Sequence, residues 1–454
     1  MDFFEEIDRL EQEDKAFLWH PFTQMKDWEK ARPVIITEAK DCFIKDITGK
    51  WYLDGVSSLW VNIHGHRREE INHAIKSQLD RVAHTTLLGL ANVPSIELAR
   101  RLVDIAPRGL GKVFYSDNGS TAVEVALKMA FQYWRHRGDS KRSLFVSLNN
   151  AYHGDTLGAM SVGGIDIFHA AFSPLLFRTE KAPSPYCYRC ELGLDRARCR
   201  MACLDALEKI LSAHAPETAA VIIEPLVQAA GGMIVAPQGY LKGVSDLCRK
   251  YQVLLIADEV ATGFGRTGRM FACEHEEVIP DLICLSKGIT GGYLPLAATL
   301  CTDEIYTTFL GEFDELKTFF HGHSYTGNQL GCSAALASLD LFEKDKTLEA
   351  MKPKTALLKE WLQSVLPLDH AGDVRTCGLM GGVELVRNKT TKEPYAWKER
   401  MGWKVATRAM EKGLFIRPLG NVIAIMPPLA ISLENLKRML EIIQESMLEA
   451  TEDD

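Results

Sequence analysis

VLLIADEVATGFGRTG (residues 253–268) and, a short loop later, DLICLSKGITGG (residues 281–292) decide the fold. Each opens with an unbroken apolar run and ends in a residue that carries chemistry, Asp258 in the first and Lys287 in the second. Short apolar runs without polar alternation, bounded by Gly and charged residues, fit strands buried on both faces of a sheet. Working outward, KVFYS (112–116), SLFVSL (143–148) and AAVIIEP (219–225) repeat the pattern, and the helical stretch AVEVALKMAFQYW (122–134) falls between the first two. Strands alternating with helices predict an α/β fold, a mostly parallel sheet covered on both faces. Ligands of such sheets gather beyond the carboxyl ends of the strands, so the residues after each run are the candidates.

An acid and a lysine at neighbouring strand ends can act on one ligand. Pyridoxal 5′-phosphate (PLP) chemistry asks for that pair: an amine to hold the aldehyde as a Schiff base, and a carboxylate to keep the pyridine nitrogen protonated. Lys287 is the candidate for the first and for moving the proton afterwards, Asp258 for the second. Taken singly, Lys287 also suits a surface position and Asp258 a helix cap. GFGRTG (263–268) satisfies the dinucleotide pattern G-x-G-x-x-G, but RMFACEHEEV is a poor helix and the next strand ends in Lys287 rather than an acid, so a dinucleotide site is not expected.

The phosphate needs donors. After KVFYS the chain turns through Asp117, Asn118, Gly119 and Ser120 into an amphipathic helix whose free amides suit an anion, with Thr121 and Glu124 readable as a capping box. Ser324, in HGHSYTGN (321–328), offers a further hydroxyl, and Tyr152, in NNAYHGDT, offers an aromatic face for the pyridine ring.

The chain has 454 residues, 46% hydrophobic and 25% charged, and a net charge of −8. That composition is globular and leaves no broad positive field for nucleic acid. The acidic, amphipathic start MDFFEEIDRLEQEDKAF is unlike a secretory signal, and no stretch has the roughly 20 apolar residues of a membrane span, so a cytoplasmic location is expected. Residues 71–340 read as a large cofactor-binding domain. From 341 to 454 the texture turns to a charged helix, short strands and a final helix from about Leu433 to Ala450, a smaller α+β domain. Residues 1–70 read as strands with a turn at Thr48 and Gly49, packing beside that small domain.

LWHPFTQM (18–25), SSLWVNIHGH (57–66), YSDNGSTAVEVALKMAFQYW, YHGDT, IADEVATGFGRTG, FFHGHSYTGN and IRPLG together resemble the class III aminotransferases of fold type I, and within them the 7,8-diaminopelargonate aminotransferases of biotin synthesis. The resemblance implies a homodimer with PLP bound covalently to Lys287. It implies conversion of 8-amino-7-oxononanoate to 7,8-diaminononanoate in two half reactions. Asn118 and Gly119 would contact the phosphate, Tyr152 the cofactor and substrate, and Gly322, His323 and Ser324 a phosphate and substrate loop reaching the neighbouring subunit. Arg417 would bind the substrate carboxylate, with Phe22 and Trp60 as walls. Members using S-adenosylmethionine as donor commonly carry Trp-Trp and Tyr where this chain has Leu59-Trp60 and Phe22; the branch using lysine carries the present pattern. Both donors stay open, as does another ω-aminotransferase acting on diamines or ω-amino acids.

Cys187, Cys190, Cys199 and Cys203 are spaced C-x2-C-x8-C-x3-C, which suits either four thiolates on zinc or an iron–sulfur cluster, or free and transiently paired thiols. Bound metal would act as a structural peg remote from Lys287, or would mark a metal-binding regulatory protein on an old enzyme scaffold. The pairs His64/His66 and His321/His323 lack a nearby carboxylate and read as hydrogen-bonded loop histidines.

Overall fold

The structure, a computed structural model, describes residues 3–452. Three N-terminal strands, β1 (Ile36–Lys40), β2 (Phe43–Asp46) and β3 (Trp51–Asp54), form an antiparallel meander. Gly49 turns the chain between β2 and β3 at φ +94°, a conformation that costs glycine little.

The central sheet is built from β4 (Leu110–Ser116), β5 (Leu144–Leu148), β6 (Thr179–Ala182) and β7 (Thr218–Ile223), then, after a small hairpin of β8 (Val227–Gln228) and β9 (Ile234–Val235), from β10 (Leu254–Asp258), β11 (Leu282–Leu285) and β12 (Ala297–Thr302). Its order is β4-β12-β11-β10-β7-β5-β6. Only β12 runs against its neighbours, so the sheet is mostly parallel, as the apolar runs require. Every residue of β5, β7, β10 and β11 is buried, which is why these strands show no polar alternation. The helix Gly119–His136 lays Ala122, Val123, Ala126 and Ala130 against β11 and β12.

The C-terminal part holds β13 (Ala371–Cys377), β14 (Met380–Asn388), β15 (Glu393–Pro394), β16 (Leu414–Phe415), β17 (Pro418–Leu419) and β18 (Val422–Ile425), closed by the helix Leu433–Glu452. β13, β14, β18 and β17 make one sheet, with β15 paired to β14. β16 leaves it and pairs in parallel with β3, Leu414 opposite Leu53, so the two ends of the chain share a sheet. The charged helical stretch after residue 340 is broken at Lys346, which takes φ +46°, into the helices Gln329–Lys344 and Thr347–Val365. Among the described residues no helix is long and apolar enough to cross a membrane.

Candidate active site

Parallel pairing of β10 with β11 sets Asp258 opposite Cys284, and Lys287 follows β11 by two residues. Both side chains therefore open onto the carboxyl edge of the sheet, on a cavity of about 770 Å³ that Trp60, Asn118, Gly119 and Tyr152 also line. A separate hollow of about 830 Å³ lies by the helices Glu69–Leu79 and Gln329–Lys344. Its Glu70 and Lys344 neutralise one another at 2.6 Å, and nothing there pairs a strand-end amine with an acid.

Lys287 takes φ +46° at the start of a tight turn, a conformation that β-carbons disfavour and that functional sites often hold. Burial pushes its amine below the usual lysine range, against the pull of Asp258 and Glu224. Its Nζ stands 4.9 Å from the centre of the Trp60 ring. Trp60 ends a run, Ser57 to Trp60, in which all four residues have positive φ. Such a run is costly for L-residues. Here the Ser57 hydroxyl donates to the Met426 carbonyl at 2.5 Å, and the Ser58 hydroxyl to Asp54, at the end of β3, at 2.7 Å.

Two groups near Asp258 escaped the sequence reading. His153 Nδ1 donates to Asp258 Oδ2 at 2.7 Å, while Oδ1 accepts the Val260 amide at 3.1 Å. Its Nε2 is buried without a partner. The only signal for His153 was its place in YHGDT, beside Tyr152. Glu224, just past β7, accepts the Tyr152 amide at 3.1 Å and the Ala229 amide at 3.0 Å. Burial, with Asp258 nearby, raises its carboxyl to about 8. Tyr152 itself is held by its hydroxyl on Asp155 at 2.7 Å.

At the helix start the cap sits three residues earlier than the sequence suggests. Asn118 is the N-cap and accepts the Thr121 amide at 3.0 Å, while the Thr121 hydroxyl lies 3.2 Å from the Asn118 amide. Glu124, expected to close the box, instead accepts the Gly158 amide at 2.7 Å and the Thr156 hydroxyl at 2.5 Å, locking the loop after Tyr152 to this helix. The first amides of a helix lack intrahelical acceptors, and here Gly119 and Ser120 border the cavity. A β-carbon at Gly119 would meet Val260 Cγ1 at 2.6 Å, so any larger residue would have to push Val260 aside. An amine, a paired carboxylate and an amide-rich helix start at one sheet edge suit the aldehyde, ring nitrogen and phosphate of PLP.

The remaining expected residues lie outside that cavity's lining. Phe22 packs edge-on against Phe168 at 5.3 Å, and its carbonyl accepts Arg417 Nη2 at 3.2 Å. Arg417 rests 5.6 Å from the Trp403 ring centre, and burial lowers its guanidinium from the ordinary range. Among the described residues no carboxylate pairs with it. His323 Nδ1 lies 3.4 Å from Asp117 Oδ2, next to the helix start. Ser324 is exposed on a turn, its carbonyl accepting His84 Nε2 at 2.7 Å, and Gly322 is exposed beside it.

The cysteine expectation is corrected in its metal form. Among the described residues no three or more His, Cys, Asp or Glu side chains are grouped to hold an ion, so the zinc or iron–sulfur reading of Cys187, Cys190, Cys199 and Cys203 finds no support. All four are free; Cys187 and Cys199 face the carbonyls of Pro185 and Arg196 at 3.9 Å. Burial pushes the Cys203 thiol up to about 11 and raises Cys187, with the neighbouring cysteines of the segment adding to both. The segment is pinned without metal: Tyr186 and Arg189 both bond Glu384 on β14, which Arg375 also holds at 2.9 Å.

His64 bonds Ser338 at 3.1 Å and His321 bonds Lys128 at 2.9 Å as expected, but each pair does have a carboxylate near it: His66 Nε2, which has no hydrogen-bond partner, lies 3.6 Å from Asp54 Oδ2, and His323 Nδ1 lies near Asp117. GFGRTG serves as a strap rather than a dinucleotide loop. Its Arg266 is 1% exposed and donates to the carbonyls of Pro427 at 2.6 Å and Asn62 at 2.9 Å, tying three remote segments behind Lys287.

A family profile described as Aminotransferase class-III matches residues 24–447. A Geobacter sulfurreducens protein named adenosylmethionine-8-amino-7-oxononanoate aminotransferase is 59% identical over 435 residues, covering 96% of each chain. The solved structure of the Methanocaldococcus jannaschii protein of that name superposes with a TM-score of 0.93 at 49% identity, covering 97% of this chain and 99% of that one. An amine transaminase from an uncultivated Pseudomonas species, solved in its PLP-bound form, superposes with a TM-score of 0.91 at 36% identity over 96% of this chain and 99% of that one. With the lysine, the aspartate and the helix start arranged on one sheet edge, and with the profile spanning nearly the whole sequence, the chain belongs to the class III aminotransferases.

Proposed function

We propose that this enzyme moves an amino group from S-adenosylmethionine to 8-amino-7-oxononanoate, yielding 7,8-diaminononanoate for biotin synthesis, in two half reactions at one site. The observation that carries the reading is the pairing of Lys287 with Asp258 in a cavity whose aromatic side leads through Tyr152 and Phe168 to Phe22 and the carboxylate-free Arg417. The donor is taken from the names of the relatives at high identity.

Class III aminotransferases use PLP, which when bound supplies a carbonyl for the amine and a ring that accepts an electron pair. The protein's part follows from its own groups. Lys287 Nζ, whose affinity for a proton burial lowers, would hold the aldehyde and, once released as a free amine, would move a proton at the amine-bearing carbon. Asp258, oriented by His153, is the residue that would hold the ring nitrogen and keep it protonated. Asn118, Gly119 and Ser120 orient the phosphate by their place at the helix start. Tyr152 and Trp60 wall the reacting carbon, and Arg417 takes the far carboxylate.

The same reading gives the chain a cytoplasmic place and a large unit over residues 71–340 carrying the central sheet, with 341–454 and 1–70 sharing the smaller one. It also makes the enzyme a homodimer. Support comes from apolar side chains in the open, Leu88 at 89% and Phe313 at 98% exposure, and Phe320, also exposed, close in sequence to Gly322, His323 and Ser324.

Single-turnover spectra of the yellow holoenzyme with S-adenosylmethionine, and separately with L-lysine, test the reading, with 7,8-diaminononanoate measured by mass spectrometry after addition of the keto acid. Bleaching and diamine formation with S-adenosylmethionine are expected. The same result with lysine alone would reassign the donor, and diamine with neither would hand the site to the ω-aminotransferase alternative.

A further inference from the structure

Past Gly163 and Gly164 the chain makes a single helical turn, Asp166–His169, that grips Tyr152 from two directions. His169 lies parallel to the Tyr152 ring at 6.4 Å, and Phe168 meets it edge-on at 6.1 Å. Phe168 also meets the Phe22 ring edge-on at 5.3 Å, and the Phe22 carbonyl is the acceptor for Arg417. Phe22 is held at φ +51°, an unfavourable backbone conformation for a residue with a β-carbon. His169, 6% exposed, anchors the turn, while Ile167 is 59% exposed and the following Phe172 and Leu175 are exposed too. Phe168 is therefore the bridging ring of an aromatic series that begins at the Lys287 cavity and ends at a guanidinium without a carboxylate.

Resting on the proposed reaction, in which a keto acid's reacting end lies at Lys287 and its carboxylate at Arg417, we infer that Phe168 is a specificity-determining residue that measures the acceptor's methylene chain. On that reading the ligand's chain runs from Tyr152 toward Phe22, and Phe168, the ring that touches both, takes its methylenes out of water. Full burial of one methylene strengthens binding about fourfold. A bulky apolar ring at this position thus favours long acceptors over short ones, while Arg417 sets only the charge at the end.

The test uses holoenzyme and binding alone, so that it survives failure of the proposed reaction. Dissociation constants are measured by calorimetry for straight-chain carboxylates from pentanoate to nonanoate. Wild type is expected to tighten about fourfold per added methylene, Phe168→Ala by less than about twofold, and Phe168→Leu by an intermediate factor because part of the apolar wall remains. Equal chain-length dependence in wild type and Phe168→Ala would overturn the inference, as would no dependence in wild type. Loss of diamine formation in the wild-type assay above would instead refute the reaction and leave the chain-length result to stand.

Discussion

His153 Nδ1 sits 2.7 Å from Asp258 Oδ2 with both side chains sealed from solvent, so the acid at the end of β10 is held by an imidazole that arrives from the end of β5. A carboxylate only accepts hydrogen bonds, which assigns the Nδ1 hydrogen to His153 and turns the other Asp258 oxygen toward the Val260 amide. His153→Ala should lower kcat about 10–100-fold, the worth of a hydrogen bond to a charged group, and Asp258→Asn should cost about 10³-fold. Steady-state kinetics check both; an unchanged His153→Ala enzyme would reduce the contact to packing.

Lys287→Ala should remove turnover by at least about 10³-fold while the thermal midpoint stays close to wild type, because the residue lies on a turn outside the core strands. Borohydride reduction followed by peptide mapping should label residue 287 in wild type. Retained turnover in the variant would refute its role.

Arg417→Ala should raise KM for 8-amino-7-oxononanoate about 10–100-fold with a smaller change in kcat, since a charge-assisted contact to the remote carboxylate acts in ground and transition states alike. An unaltered KM would move the carboxylate elsewhere.

His64, 2% exposed and packed 5.0 Å from Phe342, has its imidazole pushed down to about 4 by burial, with Arg68 acting in the same direction. Its folded pKa lies below the unfolded value near 6.5, so the unfolded chain binds more protons between those limits. The resulting stability is present above about pH 6.5 and is lost as pH falls toward 4, by about 3 kcal/mol in all. Denaturation midpoints measured across this window should show a shallower loss in His64→Gln than in wild type. Equal slopes would mean that His64 is not protonated on unfolding.

Arg266→Met should destabilise the fold by about 3 kcal/mol or more, because it strips the carbonyls of Asn62 and Pro427 of their donor in a sealed interior. Chemical denaturation of the holoenzyme reads this as a lower midpoint. No shift would imply that water replaces the guanidinium.

Much of the fold was legible because buried parallel strands announce themselves locally. β7, β10 and β11 are buried from end to end and almost wholly apolar, and each carries its chemistry at or just past its carboxyl end. β12 was missed: it enters the same sheet reversed, and LAATLCT is too short and too mixed to distinguish from loop. The cap at Asn118 was displaced by three residues because Thr121 and Glu124 match the same pattern, and only the loop beyond Tyr152, which claims Glu124, separates the two readings.

By itself the sequence determined the α/β architecture and the lysine and aspartate at its strand ends, because burial period and residue type act within a few neighbours along the chain. Only the tertiary structure decided that His153 meets Asp258 across 105 residues, that Glu224 holds two loops, that Arg266 straps three segments and that Arg417 reaches Phe22. It also decided that four well-spaced cysteines do not converge on an ion. Spacing limits how far two side chains can lie apart, whereas packing between distant elements chooses where they point and what each of them touches.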